Sequence, residues 1–117
     1  MSIYFICERP DFLQLANEFK IGESINPPER LKQLQTGNKR MLIIYQTIFC
    51  GTKLDAQQLE ATIHDRLKAK RIRGEWFSVT KKEVDDLIKE IIKLREAEIA
   101  LAKKRYSQNN TMPFMPH

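Results

Sequence analysis

The sequence has little of what staples or anchors a chain. It contains two cysteines, Cys7 and Cys50, in 117 residues. Two thiols build no disulfide framework, and no Cys-x-x-Cys pair offers structural zinc spacing. Both lie in apolar, strand-like runs, so they read as buried small hydrophobes of a reducing compartment. No apolar stretch approaches the roughly 20 residues that a membrane helix needs. The start, Met1-Ser2-Ile3-Tyr4, has neither the basic region nor the long apolar run of a signal peptide. These absences predict an intracellular protein, cytoplasmic or nuclear, with no membrane partner. There is no internal repeat and no domain linker.

What is present is ordinary for a folded domain. Hydrophobic residues make up 42% and charged residues 30%. The length suits one domain with a real core. The net charge of +5 and pI near 9.3 favour a polyanionic partner.

Residues 3–8 are aromatic and β-branched and predict a strand; residues 18–22 predict a second, ending at Gly22. The loop between them, 9–17, carries Phe12, Leu13 and Leu15, expected to pack back onto the sheet. Asn26 before Pro27 marks a helix start, because an Asn side chain caps free amides and proline lacks a donor there. That helix should run to about Thr36 and close at Gly37-Asn38, with Leu31 and Leu34 inward. The apolar run 41–50 predicts a central, buried strand. Residues 54–70 are helical by period, with Leu59, Ile63 and Leu67 on one stripe. Gly74 then breaks the pattern, and Glu75-Trp76-Phe77 reads as a short extended piece. Thr80-Lys81-Lys82-Glu83 is a capping box that opens a long helix to about Arg105. The expected fold is α+β: a small three-stranded antiparallel sheet flanked by helices, with a long C-terminal helix. The expected divisions are a domain over 1–95, a helical extension over 96–106 and a disordered tail over 107–117.

Four separated fragments carry the chemistry. They are Ile3-Tyr4-Phe5-Ile6, Phe19-Lys20-Ile21-Gly22, Asn26-Pro27-Pro28-Glu29-Arg30 and Gly74-Glu75-Trp76-Phe77. Together they supply a phenol, an ammonium, a guanidinium and a carboxylate. That inventory suits phosphodiester cleavage. Guanidinium forks match phosphate oxygens, and a helix start adds positive potential near Arg30. A lone carboxylate at Glu75 would hold Mg²⁺ (or Mn²⁺) weakly, leaving waters and phosphate oxygens as further ligands. Tyr4 could orient or deprotonate the attacking water, with Lys20 stabilising phenolate character or a phosphate oxygen. Lys39, Arg40, Lys70, Arg71 and Arg73 form a candidate phosphate-tracking surface.

These residues resemble the GIY-YIG nuclease superfamily, and more narrowly its small phage- and virus-associated branch with a KIG second motif. The matches are Ile3-Tyr4 for the end of GIY, Lys20-Ile21-Gly22 for YIG, Arg30 on the following helix, and Glu75. Leu59-Glu60, Ile63-His64 and Arg73-Gly74-Glu75-Trp76-Phe77 also resemble that branch. Ser2 replaces the first glycine, Lys20 replaces the second tyrosine, and the spacer between Tyr4 and Lys20 is long. The resemblance implies a metal-dependent endonuclease acting on DNA, with RNA left open, in which Tyr4, Lys20, Arg30, His64 and Glu75 are catalytic. It places a histidine at position 64, which Glu60 could orient. Ser24 and Asn26 would contact backbone phosphate. The rival expectation is a nucleic-acid-binding module that has lost cleavage and acts as a regulator or accessory subunit. A third is a protein-interaction adaptor built on the long helix, which is also a candidate homodimer element.

Overall fold

A computed structural model of the chain describes residues 1–9 and 16–110, with side chains through Ser107. Phe12, Leu13 and Leu15 lie outside the described residues. The chain divides into two compact units, Met1–Glu83 and Val84–His117.

The first unit holds five strands and two helices. The strands are β1 (Ser2–Glu8), β2 (Glu18–Ser24), β3 (Leu42–Phe49), β4 (Arg71–Arg73) and β5 (Trp76–Ser78). They form one sheet in the order β3-β1-β2-β5-β4, every pair antiparallel. The helices are α1 (Pro27–Gln35) and α2 (Lys53–Arg66). The fold is α+β, as expected, but the sheet has five strands rather than three. The extra two come from the segment around Gly74, which turns with φ of 52° and folds β4 back on β5. Such three-residue strands are too short to leave a period in the sequence. For the same reason α2 stops at Arg66 instead of 70: a 3-10 turn, Lys68–Lys70, leads into β4.

The strand expected at the centre, β3, lies at an edge. The interior strands are β1, β2 and β5, and in β1 the residues Ile3 to Cys7 are all at most 1% exposed. An apolar run marks burial on some face, and it does not say which neighbours the strand has. Between Phe5 and Ile6 the β1–β3 ladder shifts by one residue, leaving Tyr45 as the extra residue of a bulge. Strand alternation puts Tyr4 and Ile6 on one face of the sheet. They cluster with Leu42, and Leu31 and Leu34 of α1, Ile44 and Trp76 pack against them. The opposite face carries Phe5, Phe19, Ile21 and Phe77, all fully buried. Ala56 and Ile63 are the buried residues of α2.

The helix starts follow local chemistry. The Asn26 side chain accepts from the Glu29 amide at 3.2 Å, with prolines in the first turn. The capping box forms: the Glu83 amide donates to Thr80 Oγ1 at 3.1 Å, and the Thr80 amide to Glu83 Oε1 at 3.2 Å. It opens α3 (Lys81–Asn110), which makes up the described part of the second unit. This helix passes the expected end near Arg105, and 111–117 lie outside the described residues. Among the described residues no helix is long and apolar enough to cross a membrane.

Cys7 and Cys50 are both buried, at opposite ends of the β1–β3 ladder. Burial pushes the Cys7 thiol up, and the charge of Glu8 adds to the shift. Neither thiol should therefore react with iodoacetamide in the folded protein at pH 8, and both should react in denaturant. Intact-mass measurement reads this directly; fast native labelling of Cys7 would contradict the packing of β1.

Candidate nuclease-like site

Register decides which side chains can meet. The β1–β2 ladder pairs Tyr4 with Gly22 and Ile6 with Lys20, and the β2–β5 ladder pairs Lys20 with Trp76. Directly opposed residues share a face, so Tyr4, Gly22, Lys20 and Trp76 all point the same way. Gly22 is an interior residue of β2, which continues to Ser24 rather than ending at the glycine. A Cβ at position 22 would stand 2.5 Å from the Tyr4 hydroxyl and 2.8 Å from Glu75 Oε2. The bare backbone lets those two groups lie over the strand.

Glu75 arrives at that spot because β2 outruns its partner. The β5 ladder ends at the Lys20–Trp76 pair. The next amide of β2, from Ile21, donates to the Glu75 carbonyl at 3.0 Å. The Ile21 carbonyl accepts from His64 Nε2 at 2.7 Å. The polar groups left over on the strand edge thus anchor two of the expected site residues. A carbonyl can only accept, so Nε2 carries a proton, and in the neutral ring Nδ1 then keeps its lone pair. The His64 ring also packs against Phe77, with centroids 5.0 Å apart.

Around the Glu75 carboxylate, the Tyr4 hydroxyl donates to Oε1 at 3.3 Å. The Lys20 ammonium lies 3.4 Å from the same oxygen, with a side chain only 12% exposed. Its charge also sits 5.8 Å from the centroid of the Trp76 ring. Burial pushes the Tyr4 phenol up, Arg30 pulls it down, and Glu75 raises it further. The net direction is upward, so at neutral pH Tyr4 is a proton donor. Arg30 is the cation acting on the phenol; Lys20 is engaged with Glu75 instead of with the phenol as expected. The Arg30 guanidinium also donates to Gln33 at 3.3 Å. Tyr4, Lys20, Arg30 and Glu75 therefore converge on the face that carries α1.

A second group of acids meets Glu75 from α2. Glu60, His64 and Glu75 each offer a ligand atom, all within 4.8 Å of one another. Burial pushes the Glu60 carboxyl up and Glu75 raises it further; His64 lowers it, and Glu23 raises it by its charge while lowering it through a backbone hydrogen bond. Its Oε2 is closed to solvent without a hydrogen-bond partner, as is Glu23 Oε2. An orphaned carboxylate oxygen beside an imidazole and a second carboxylate is a donor set suited to a divalent cation.

The basic residues do not gather into one patch. Lys39 and Arg40 precede β3 at one edge of the sheet, and Lys70, Arg71 and Arg73 belong to the β4 edge. Four strand spacings, roughly 19 Å, separate the edges. Arg40 pairs with Glu8 at 3.0 Å, Lys70 pairs with Glu83, and Arg71 lies 5.6 Å from the Phe77 ring centroid. Ser24 Oγ accepts from the Asn26 amide at 3.0 Å, so both side chains serve the α1 cap.

Sequence reasoning missed Gly22 and Trp76 as parts of the site, and gave Glu60 only an orienting role. A glycine inside a strand signals close approach, and hairpin register would have set it opposite Tyr4.

A family model for the T5orf172 domain matches residues 1–92. The chain belongs to the T5orf172 domain family. That domain is phage-associated and nuclease-like. No curated protein and no solved structure shows significant similarity to the chain.

The close approach at Gly22 is testable by itself. Gly22→Ala should cost roughly 1–3 kcal/mol in chemical denaturation, the range for overpacking. Gly51→Ala is the control, since a Cβ there meets nothing and its φ is not positive. It should stay within about 0.5 kcal/mol of wild type, as surface changes do. Equal effects at the two positions would remove Gly22 from the site.

Proposed function

We propose that this T5orf172-domain chain is a metal-dependent endonuclease of GIY-YIG type that hydrolyses phosphodiester bonds in DNA. It would have low sequence specificity or prefer a DNA structure. The observation that carries this reading is the convergence of Tyr4 and Lys20 on one carboxylate oxygen of Glu75, with Arg30 acting on the same phenol. These residues come from β1, β2, α1 and the β4–β5 turn, and a core hydrogen bond alone would not need two cations.

Arg30 binds the scissile phosphate and stabilises the charge that grows on it during attack. Tyr4 holds the attacking water by hydrogen bonding, its phenol oxygen lying between Arg30 and Glu75. Because the phenol is held protonated, Tyr4 becomes a base only as positive charge accumulates around it. Lys20 neutralises Glu75 before substrate arrives and can turn toward a phosphate oxygen afterwards. Glu75, with Mg²⁺ or Mn²⁺, is the metal-holding residue. The bound cation would supply Lewis-acid stabilisation of the leaving oxygen. Lys39, Arg40, Lys70, Arg71 and Arg73 contribute phosphate contacts that position DNA without reading sequence.

A nucleic-acid-binding module without cleavage is the second reading. The upward shift of the Tyr4 phenol favours it, because a protonated phenol does not activate water.

Incubating supercoiled plasmid with the protein and Mg²⁺ or Mn²⁺ separates the two. Nicking is expected, lost in Glu75→Ala and slowed about 10²–10³-fold in Arg30→Ala. Retarded DNA with no nicking in either metal would replace the enzyme by the binder.

A further inference from the structure

The acids that meet on the β2 edge leave a chemical demand that Tyr4, Lys20 and Arg30 do not meet. Lys20 and Tyr4 both contact Oε1 of Glu75, whereas Glu60 Oε2 is buried without any donor. Burying an unpartnered carboxylate oxygen is costly, and nearby Glu75 makes it costlier. The imidazole of His64 is meanwhile fixed by its bond to the Ile21 carbonyl, which leaves one nitrogen able to donate a lone pair. A histidine held through its second N–H by a backbone carbonyl is the usual preparation of a metal-ligating ring.

We propose that Glu60, His64 and Glu75 form a three-ligand site for a transition-series divalent cation, Mn²⁺ or a later metal, in preference to Mg²⁺. This extends the metal-dependent reading by changing both the ligand set and the metal. Glu60 and His64 lie four residues apart on α2 and so share a face. Glu75 closes the site from the β4–β5 turn, and all three ligand atoms lie within 4.8 Å of one another. Ligands about 2.0–2.2 Å from a common centre stand up to about 4.4 Å apart, so small side-chain adjustments bring these three atoms onto one ion. Imidazole nitrogen suits Fe²⁺, Ni²⁺, Cu²⁺ and Zn²⁺, the carboxylates suit Mn²⁺ as well, and Mg²⁺ retains most of its waters. A lone Glu75 would show no such preference. The cation would occupy the orphaned oxygen of Glu60 and relieve its repulsion with Glu75.

The test uses the full chain and the metal alone. Calorimetric titration should find one Mn²⁺ site, with Mg²⁺ at least about tenfold weaker. Glu60→Gln should weaken Mn²⁺ about tenfold or more while its far-UV circular dichroism matches wild type. Pulsed electron paramagnetic resonance of the wild-type Mn²⁺ complex should show ¹⁴N modulation from His64, lost in His64→Gln. No Mn²⁺ binding, no nitrogen modulation in wild type, or Mn²⁺ affinity within a few-fold of wild type in a folded Glu60→Gln overturns the site. The wild-type resonance signal decides even where a variant fails to fold. Plasmid nicking that depends on Glu75 but not on Glu60 would leave the nuclease reading standing and remove this one. Mn²⁺ binding with nitrogen modulation but no nicking would do the reverse.

Discussion

A side chain of any size at position 22 would enter the space where the Tyr4 hydroxyl and the Glu75 carboxylate meet, at 2.5 and 2.8 Å from its Cβ. The cross-strand pair of Tyr4 and Gly22 is therefore the constraint on which the site rests. It leaves room for both groups directly over the backbone of β2. Ile6 and Leu42 fill that face farther along, under Leu31 and Leu34 of α1. The phenol thus has an apolar base and a polar tip, whose hydroxyl is satisfied by Glu75 within the buried face. Burial raises its pKa for the same reason that it fixes its position.

The second organising feature is the mismatch in length between β2 and β5. A seven-residue strand beside a three-residue strand must leave backbone groups unpaired. Unpaired buried amides and carbonyls are expensive, so they find other partners. Ile21 sends its amide to the Glu75 backbone and its carbonyl to His64. One residue with no chemistry of its own thereby sets the positions of two that have it. The tight turn at Gly74 then delivers Glu75 to the strand edge at the start of β5.

Much of this was legible before any coordinates. The β1 and β2 runs, the Asn26-Pro27 helix start and the Thr80/Glu83 capping box are local patterns, and local patterns survive folding. Tyr4, Lys20, Arg30 and Glu75 could be picked out because each sits next to such a marker. The sheet's width was not legible, since Arg71–Arg73 and Trp76–Ser78 are too short to show alternation. The edge position of β3 was hidden because Leu42–Phe49 reads the same whether one or two neighbours flank it. The meeting of Glu60 with Glu75 was hidden more deeply. It depends on how α2 crosses the end of β2, a tertiary fact with no trace in residue spacing. The spacing of the basic residues was hidden as well: the strand order puts Lys39 and Arg40 at the edge opposite Lys70, Arg71 and Arg73.

Lys20 makes sense against this arrangement. A phenol at position 20 could donate a hydrogen bond to Glu75 but could bring no charge. Glu75 stands beside Glu60, whose ionised form its charge disfavours. An ammonium 3.4 Å from Oε1, largely shielded from water and lying by the Trp76 ring, offsets part of that repulsion. It does so from one side only. Oε1 takes both Tyr4 and Lys20, while Oε2 lies over Gly22 without either of them in contact. The two oxygens of one carboxylate thus face different surroundings, one neutralised and one open. The lysine is better understood as the counter-ion that lets a carboxylate stand in an acidic group than as a substitute base. On that account Lys20→Tyr would leave the phenol of Tyr4 in place and unsettle Glu75, because the new side chain restores a hydrogen bond without restoring a charge.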